Sequence, residues 1–451
     1  MFYCGIDIGT TNTKAVLVHE DGRVLKRLIY SYLPTKNIHR FDAKQWCTIF
    51  CDIVEKFNSE SIGQELIVSI TSQGASFVLL DKATNPIDFA WPWTGQANLD
   101  TVKELARDLG DVKYYNATGW QPLEFLMPCK IREYIRKTGR SFKYLVTVPD
   151  YITAQLTGKA ITDATNAQMT GFYDINSQSW REDFVKWAGC EMNTMSAVKN
   201  SVGVEFENVK TKSGRISLVT SSHDQYAAME ATGTGIGTIM LGTGTAWVIN
   251  GKSREPVYDD ENFSIHPGRD TDGGFGFICT MGPVGRSFDI VLNTLGLSYS
   301  QVDTISSNHD FFESPIGAII IEPDGKTSAE AVKQFMLGVA SLVRFNIERL
   351  SIKDCMQKLV MTGGATANSG WCQMIADVCG VTVEAMDFPE LTAYGAAMIA
   401  KRGASQKAFA SDSCEFNRVI YEPVNRNLYK WYDNYQREIL LNNANGFIIL
   451  E

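Results

Sequence analysis

The sequence predicts an α/β protein built from two domains of related design, and three observations carry that expectation. The chain has 451 residues, more than one ordinary core accommodates. Strand and helix patterns mix along its length rather than segregating into halves. A unit of strand, Gly/Thr-rich turn and strand occurs at residues 4–18 and recurs at 237–250, a spacing of about 235 residues that reads as an internal repeat. The Gly-rich run Gly233-Thr-Gly-Ile-Gly237 sets the boundary, giving domains 1–234 and 235–451. Duplicated halves facing each other predict an inter-domain cleft.

The elements follow in order. Apolar runs Phe2–Ile8 and Ala15–Val18 flank the turn Gly9-Thr10-Thr11-Asn12, which reads as a β-hairpin. Asp21-Gly22 turns the chain into a third strand over residues 23–32, completing an antiparallel meander. Trp46, Ile49, Phe50, Ile53, Val54 and Phe57 recur at helical spacing across 42–59. Leu66–Ser72 is a buried strand that ends at Gln73-Gly74, and Phe77–Asp81 is a further strand. Residues 90–98 form an aromatic, proline-broken loop before a helix at 99–109.

Residues 110–215 are expected to be mostly helical, with Pro149-Asp150 opening a helix that runs to Leu156. Val219–Ser222 reads as a strand ending at His223-Asp224, and a helix follows over 225–231. In the second half, a long helix at 328–350 carries Ala331, Phe335, Val339, Leu342 and Phe345 on one face. Lys358–Thr362 is a strand running into Gly363-Gly364-Ala365.

Composition narrows the class. Hydrophobic residues at 44% with 21% charged are globular proportions. A net charge of −9 argues against a general nucleic-acid or anionic-membrane binder. Ten cysteines at irregular spacing, with no Cys-x-x-Cys, suit free thiols in a reducing compartment. No signal peptide is readable and the apolar runs, such as Ala318–Ile321, are short, so a cytoplasmic protein is expected. Five scattered histidines, at 19, 39, 223, 266 and 309, suggest no metal cluster.

The first turn carries more chemistry than a connector needs. Gly9 admits a bulky group close to the backbone, the threonine hydroxyls and successive N–H groups are donors, and Lys14 is a cation. Asp7 ends the strand with a carboxylate suited to a hydrated metal ion. Together they describe a polyphosphate cradle, against an ordinary hairpin with a polar turn. Gly242-Thr-Gly-Thr245 repeats the arrangement. No Gly-x-Gly-x-x-Gly opens a helix after a strand and no Walker-type loop occurs, so phosphates, if bound, are bound by hairpins.

Gly363-Gly364-Ala365-Thr-Ala-Asn368-Ser lies between a strand and a helix. Its glycines allow flat contact with a ring system, or the segment is a tight turn with Asn368 or Ser369 as helix cap. Asp224, beside His223, is placed to accept a hydroxyl proton during attack on phosphorus, or to cap the helix it precedes. Gln73, Trp91, Trp93 and Gln96 are the amide and aromatic mixture that carbohydrate sites favour, or a surface loop packed on its own domain.

The ordered set of motifs, from Asp7-Ile-Gly-Thr-Thr-Asn-Thr-Lys14 to Leu391-Thr-Ala-Tyr-Gly-Ala-Ala397, resembles the FGGY carbohydrate kinases within the sugar kinase–Hsp70–actin superfamily. The resemblance implies two ribonuclease-H-like (actin-like ATPase) domains closing on ATP, Mg²⁺ and a small sugar, ketose or polyol. It implies that Thr10, Thr11, Asn12 and Lys14 face ATP phosphates and that Asp7 lies near the metal. Gly242, Thr243 and Gly244 resemble the second phosphate loop. Gly363, Gly364, Ala365 and Asn368 match adenosine-side positions, and Gly282 with Arg286 matches a further nucleotide-contacting pair.

Asp224 resembles the catalytic base, and the His223-Asp224 pairing is similar to that of deoxyketose kinases. Gln73-Gly74, Trp93 and Gln96, with His223 and Asp224, fall on the sugar side. One departure concerns substrate identity: where many members carry Trp-x-Asp-x-Arg, this chain has Trp93-Thr-Gly-Gln-Ala97. The implied partner is a small-molecule acceptor, not nucleic acid or membrane, and the resemblance leaves a homodimer open. Two other classes remain at this point: an actin/Hsp70-like ATPase switch, and a sensor that binds sugar and ATP without chemistry. A nicotinamide-dependent dehydrogenase is disfavoured by the missing fingerprint.

Overall fold

The computed structural model describes residues 1–32, 40–61, 64–199, 205–306, 328–350, 356–405 and 416–433; Ala318–Ile321, His39 and His309 lie outside them. The chain forms two compact units. The first comprises Met1–Gly233, Tyr258–Gly276 and Glu390–Cys414, and the second Thr234–Val257, Phe277–Pro389 and Glu415–Glu451. The first crossing falls beside the boundary read from the Gly-rich run. The two returns have no counterpart in that reading.

In the first unit, β1 (Phe2–Ile8), β2 (Asn12–His19) and β3 (Val24–Ser31) form the meander. Helix α1 (Lys44–Glu60) leads to β4 (Leu66–Ser72). After a long insertion come β5 (Glu205–Thr211), β6 (Gly214–Val219) and helix α2 (Asp224–Thr232). The sheet order is β5-β6-β4-β1-β2-β3, with β1, β4 and β6 parallel and the outer partners antiparallel.

Period-2 alternation sends Ile6, Ile8, Ala15 and Leu17 to one face. There they meet Trp46, Phe50, Ile53 and Phe57 of α1. Each such buried side chain contributes about 2 kcal/mol in area bookkeeping.

The second unit repeats this plan. Strands β7 (Thr238–Thr243), β8 (Trp247–Ser253) and β9 (Phe275–Thr280) precede helices α3 (Val284–Leu295), α4 (Tyr299–Ser306) and α5 (Ser328–Arg349). Then come β10 (Lys358–Gly363), α6 (Ser369–Cys379) and β11 (Thr382–Met386). Helix α7 (Leu391–Ser405) returns to the first unit before β12 (Arg418–Tyr421).

The order β9-β8-β7-β10-β11-β12, with β7, β10 and β11 parallel, mirrors β3-β2-β1-β4-β6-β5. The register agrees as well. Ile8 pairs with Ser72 at the end of β1 and Thr243 with Gly363 at the end of β7, so Gln73 and Gly364 are equivalent positions. The repeat seen in the Gly-Thr turns extends to six strands of each sheet.

Two element readings change. Residues 205–219 form a hairpin rather than helix: its Lys212-Ser213 turn joins charged, alternating segments that pair at the sheet edge. The strand expected at Val219–Ser222 ends at Val219, and the following residues are buried backbone outside any ladder. Phe77–Leu80 pairs with Tyr144–Thr147 in a separate two-stranded sheet. No helix among the described residues is long and apolar enough to cross a membrane.

Candidate active site

In the first unit the predicted residues collect at the carboxyl ends of the parallel strands β1, β4 and β6, where open α/β sheets bind ligands. Asp7 lies opposite Lys14 on β2 and Thr71 on β4. Burial pushes the Asp7 carboxyl up to about 7; the charge of Asp224 adds to this and Lys14 opposes it. Burial likewise pushes Asp224 up to about 7, against the backbone N–H of Gln225.

The His223 ring is driven down to about 4 by burial, opposed by Asp163, and is neutral at physiological pH. Its Nε2 lies 3.0 Å from Asp224 Oδ1 but off the hydrogen-bonding direction. Among the described residues that buried oxygen has no hydrogen-bond donor. Asp224 is the first residue of α2, whose N-cap is His223 with no side-chain cap hydrogen bond, so its acid lies in the first turn rather than capping the helix.

The Gly9–Asn12 turn is closed by Gly9 N–H donating to Asn12 O at 3.0 Å, and Tyr32 O–H donates to Gly9 O at 3.0 Å. Thr10 and Thr11 are exposed. Thr10 Oγ1 donates to Gln73 Oε1 at 2.6 Å and accepts from Trp93 Nε1 at 3.1 Å, tying the Gly9–Asn12 turn to Gln73 and Trp93. Gly74 must be small: a Cβ there would lie 2.6 Å from His223 Nε2.

Trp93 is 43% exposed and available for stacking, whereas Trp91 stacks on Phe77 and contacts Tyr134 edge-on, as core. Gln96 is exposed. Ala97 is buried with its N–H on Glu124 O at 2.9 Å. A residue the sequence reading missed lies under this loop. Lys130, 2% exposed, donates to Pro92 O at 3.2 Å, and burial lowers its pKa to about 7. Its helical surroundings gave no signal.

In the second unit a cavity of about 460 Å³ opens beside the second turn, a volume typical of small-molecule sites. Gly244, Thr245, Gly364, Ala365 and Asn368 line one part of it, and Gly285, Phe288, Tyr299, Asp303 and Trp371 another. Thr243 also lines it, but its hydroxyl is committed: it donates to Thr362 O at 2.6 Å and accepts from Ala365 N–H at 3.1 Å. It holds the two turns together, and Thr245 is the exposed threonine of the pair.

Asn368 caps α6 by accepting from Trp371 N–H at 2.7 Å, and its Nδ2 donates to Asp303 Oδ1 at 2.6 Å. The cap and the cavity wall are one residue. Gly242 and Gly363 lie inside β7 and β10, outside the lining. Gly282 turns the chain into α3 and accepts from Trp247 N–H at 3.0 Å. Arg286 is exposed and outside the lining. The glycine that touches the loop is Gly285, where a Cβ would lie 2.3 Å from Gly244 O.

Among the described residues no group of three or more His, Cys, Asp or Glu is arranged to hold a metal. Asp7 and Asp224 form a pair only.

Known proteins resemble this chain over nearly its whole length. Residues 2–230 match the N-terminal domain of the FGGY family of carbohydrate kinases, and residues 316–404 its C-terminal domain. A glycerol kinase of Lactobacillus acidophilus is 23% identical over 496 aligned residues, covering 97% of each chain. The solved xylulose kinase of Rhodospirillum rubrum superposes with a TM-score of 0.88 at 18% identity, over 98% of this chain and 99% of that one. The glycerol kinase of Plasmodium falciparum, solved with ADP, gives 0.83 at 17% identity over 98% and 97%. These structures share the two-domain α/β fold of the actin-like ATPases. The chain belongs to the FGGY family of carbohydrate kinases and transfers a phosphoryl group from ATP to a hydroxyl of a sugar or polyol.

Proposed function

We propose that Asp224 is the general base of this kinase and that its acceptor is a small polyol or ketose. The observation that carries the reading is the buried Asp224 Oδ1, left without a hydrogen-bond donor beside a neutral imidazole. A carboxylate in that state takes a hydroxyl proton as the oxygen attacks the γ-phosphorus, after which the phosphoryl group leaves ADP for the acceptor oxygen. Gln73, Trp93 and His223 orient the acceptor. Thr10, Thr11, Asn12 and Lys14 supply donors and charge to the phosphates. Gly244, Thr245, Ala365 and Asn368 bound the nucleoside cavity.

Two half-buried carboxylates, one raised further by the other's charge, are chemistry that a hydrated divalent cation satisfies, and Asp7 is the residue that would hold Mg²⁺. Bound there, Mg²⁺ neutralises phosphate charge. The glycerol and xylulose kinases among the relatives favour a polyol or ketose. The Gly95 and Ala97 departures distinguish this acceptor loop from the usual one.

The test is ADP release with Mg-ATP across a panel of polyols, ketoses, deoxyketoses, aldoses and aldonates. At least one polyol or ketose is expected to raise turnover about tenfold or more over the acceptor-free rate. Stimulation only by aldoses or aldonates would overturn the acceptor class. No stimulation, with ATP binding demonstrated, would count against the chemistry assigned to Asp224.

A further inference from the structure

The segment between β6 and α2 is an unusual piece of backbone. It belongs to no extended strand, although His223 makes an isolated parallel bridge to Ser72 of β4, and Thr220, Ser221, Ser222 and His223 are all at least 95% buried. Irregular buried backbone lacks a full ladder, so side chains commonly satisfy its polar groups. The Ser222–His223 peptide does so at both ends. Its carbonyl accepts from Thr71 Oγ1 at 2.6 Å, and its N–H donates to Thr165 Oγ1 at 2.8 Å. Both threonines are completely buried.

The Thr165 hydroxyl in turn donates to Asp163 Oδ1 at 2.6 Å. Asp163 is itself fixed, accepting from Thr165 N–H at 2.9 Å, Asn166 N–H at 3.0 Å and Asn166 Nδ2 at 2.6 Å. A peptide plane held by its oxygen and its nitrogen cannot rotate about the chain axis. Asp224 is the next residue, so the clamped plane fixes where the chain enters α2 and hence the backbone from which the Asp224 carboxylate projects.

We propose that Thr71 and Thr165, the latter backed by Asp163, are positioning residues that clamp the Ser222–His223 peptide and thereby aim Asp224 at the acceptor hydroxyl. The proposal rests on Asp224 being the base. Neither threonine is exposed, and each acts through backbone. The clamp draws on β4 and on the insertion that follows the meander, so elements distant in sequence converge on one peptide. Reacting groups displaced by about 1 Å commonly lose about 100-fold in rate, which is the scale on which such a clamp acts.

The test compares Thr165→Val, Thr165→Ser and Thr71→Val in the full-length enzyme, with kcat and KM read separately. Valine keeps the volume and removes the hydroxyl; serine keeps the hydroxyl. Thr165→Val is expected to lower kcat about 30-fold with KM for ATP within about twofold, and Thr165→Ser to restore kcat to within about threefold of wild type. A Thr165→Val enzyme with wild-type kcat would overturn the clamp. So would a serine variant as slow as the valine one, since the methyl group's packing would then be the cause.

If Thr165→Val does not fold, Thr71→Val reads the other end of the same peptide and decides in its place. Asp224→Asn is assayed alongside. If that variant still turns over, the base assignment fails and the clamp with it. If it is inactive while both valine variants run at the wild-type rate, the clamp alone fails.

Discussion

Asp224→Asn is expected to lose about 10²–10⁴-fold in acceptor-dependent ADP release, the range a positioned general base contributes, while binding ATP nearly as the parent does. The same substitution should make the protein more stable at neutral pH. An aspartate ordinarily titrates near 3.8, whereas burial holds Asp224 protonated up to about 7. Between about pH 4 and 7 the folded chain therefore binds a proton that the unfolded chain has released. Stability contributed by this group falls as pH rises through that window, and the full penalty is present above it.

Asparagine carries no charge to desolvate, and it also removes the repulsion that raises Asp7. A gain of about 2 kcal/mol at pH 8, vanishing near pH 4, is the expected size for a carboxylate that is still partly solvated. Thermal melts at the two pH values check the sign. Turnover of the parent enzyme should rise with pH up to about 7 as Asp224 ionises. An Asn variant retaining a tenth of parental turnover would remove Asp224 from the chemistry.

That opposition between activity and stability bears on what the sequence could disclose. The turns were legible because Gly, Thr and Asn between β-branched runs have few other uses. The repeat they announced extends to the pairing of Ile8 with Ser72 and of Thr243 with Gly363. Asp224 was legible as a candidate because an acid at a strand-to-helix junction has few common roles, and it opens the first turn of α2. Which threonine of Gly242-Thr-Gly-Thr245 faces the cavity was not legible. The answer depends on the neighbouring strand, whose Thr362 carbonyl takes the Thr243 hydroxyl.

The hairpin at 205–219 escaped notice because an edge strand rich in Glu and Lys lacks the apolar signal of a core strand. Thr71 and Thr165 escaped it for a different reason. Each is an unremarkable threonine until the fold brings both to one peptide. Conversely, Leu391-Thr-Ala-Tyr-Gly-Ala-Ala397 was legible as a family signature, but not as the packing device that it is.

Helix α7 supplies the second large effect. Its carbonyl at Ala393 approaches β1 so closely that a Cβ on Gly5 would lie 1.8 Å from it, and a Cβ on Gly395 would lie 1.8 Å from Ala227 O in α2. The helix is wedged between the strand that carries Asp7 and the helix that begins with Asp224, and it fits only because both contact positions lack side chains. In an ordinary helix, Gly→Ala stabilises by about 1 kcal/mol. Here the sign reverses. The obstruction is backbone, which cannot swing aside, so α2 or α7 must shift bodily.

Gly395→Ala is expected to destabilise the first unit by about 3 kcal/mol, at the upper end of overpacking costs. It should also lower kcat, because α2 moves with Asp224 at its first residue. Gly235→Ala is the control: nothing lies within 4 Å of the Cβ position there, and the change should be nearly neutral. Urea denaturation of both variants, with kcat measured beside it, decides the matter. Equal midpoints for Gly395→Ala and the parent would mean that α7 has slack, and that its small residues are not what sets the distance between the two helices.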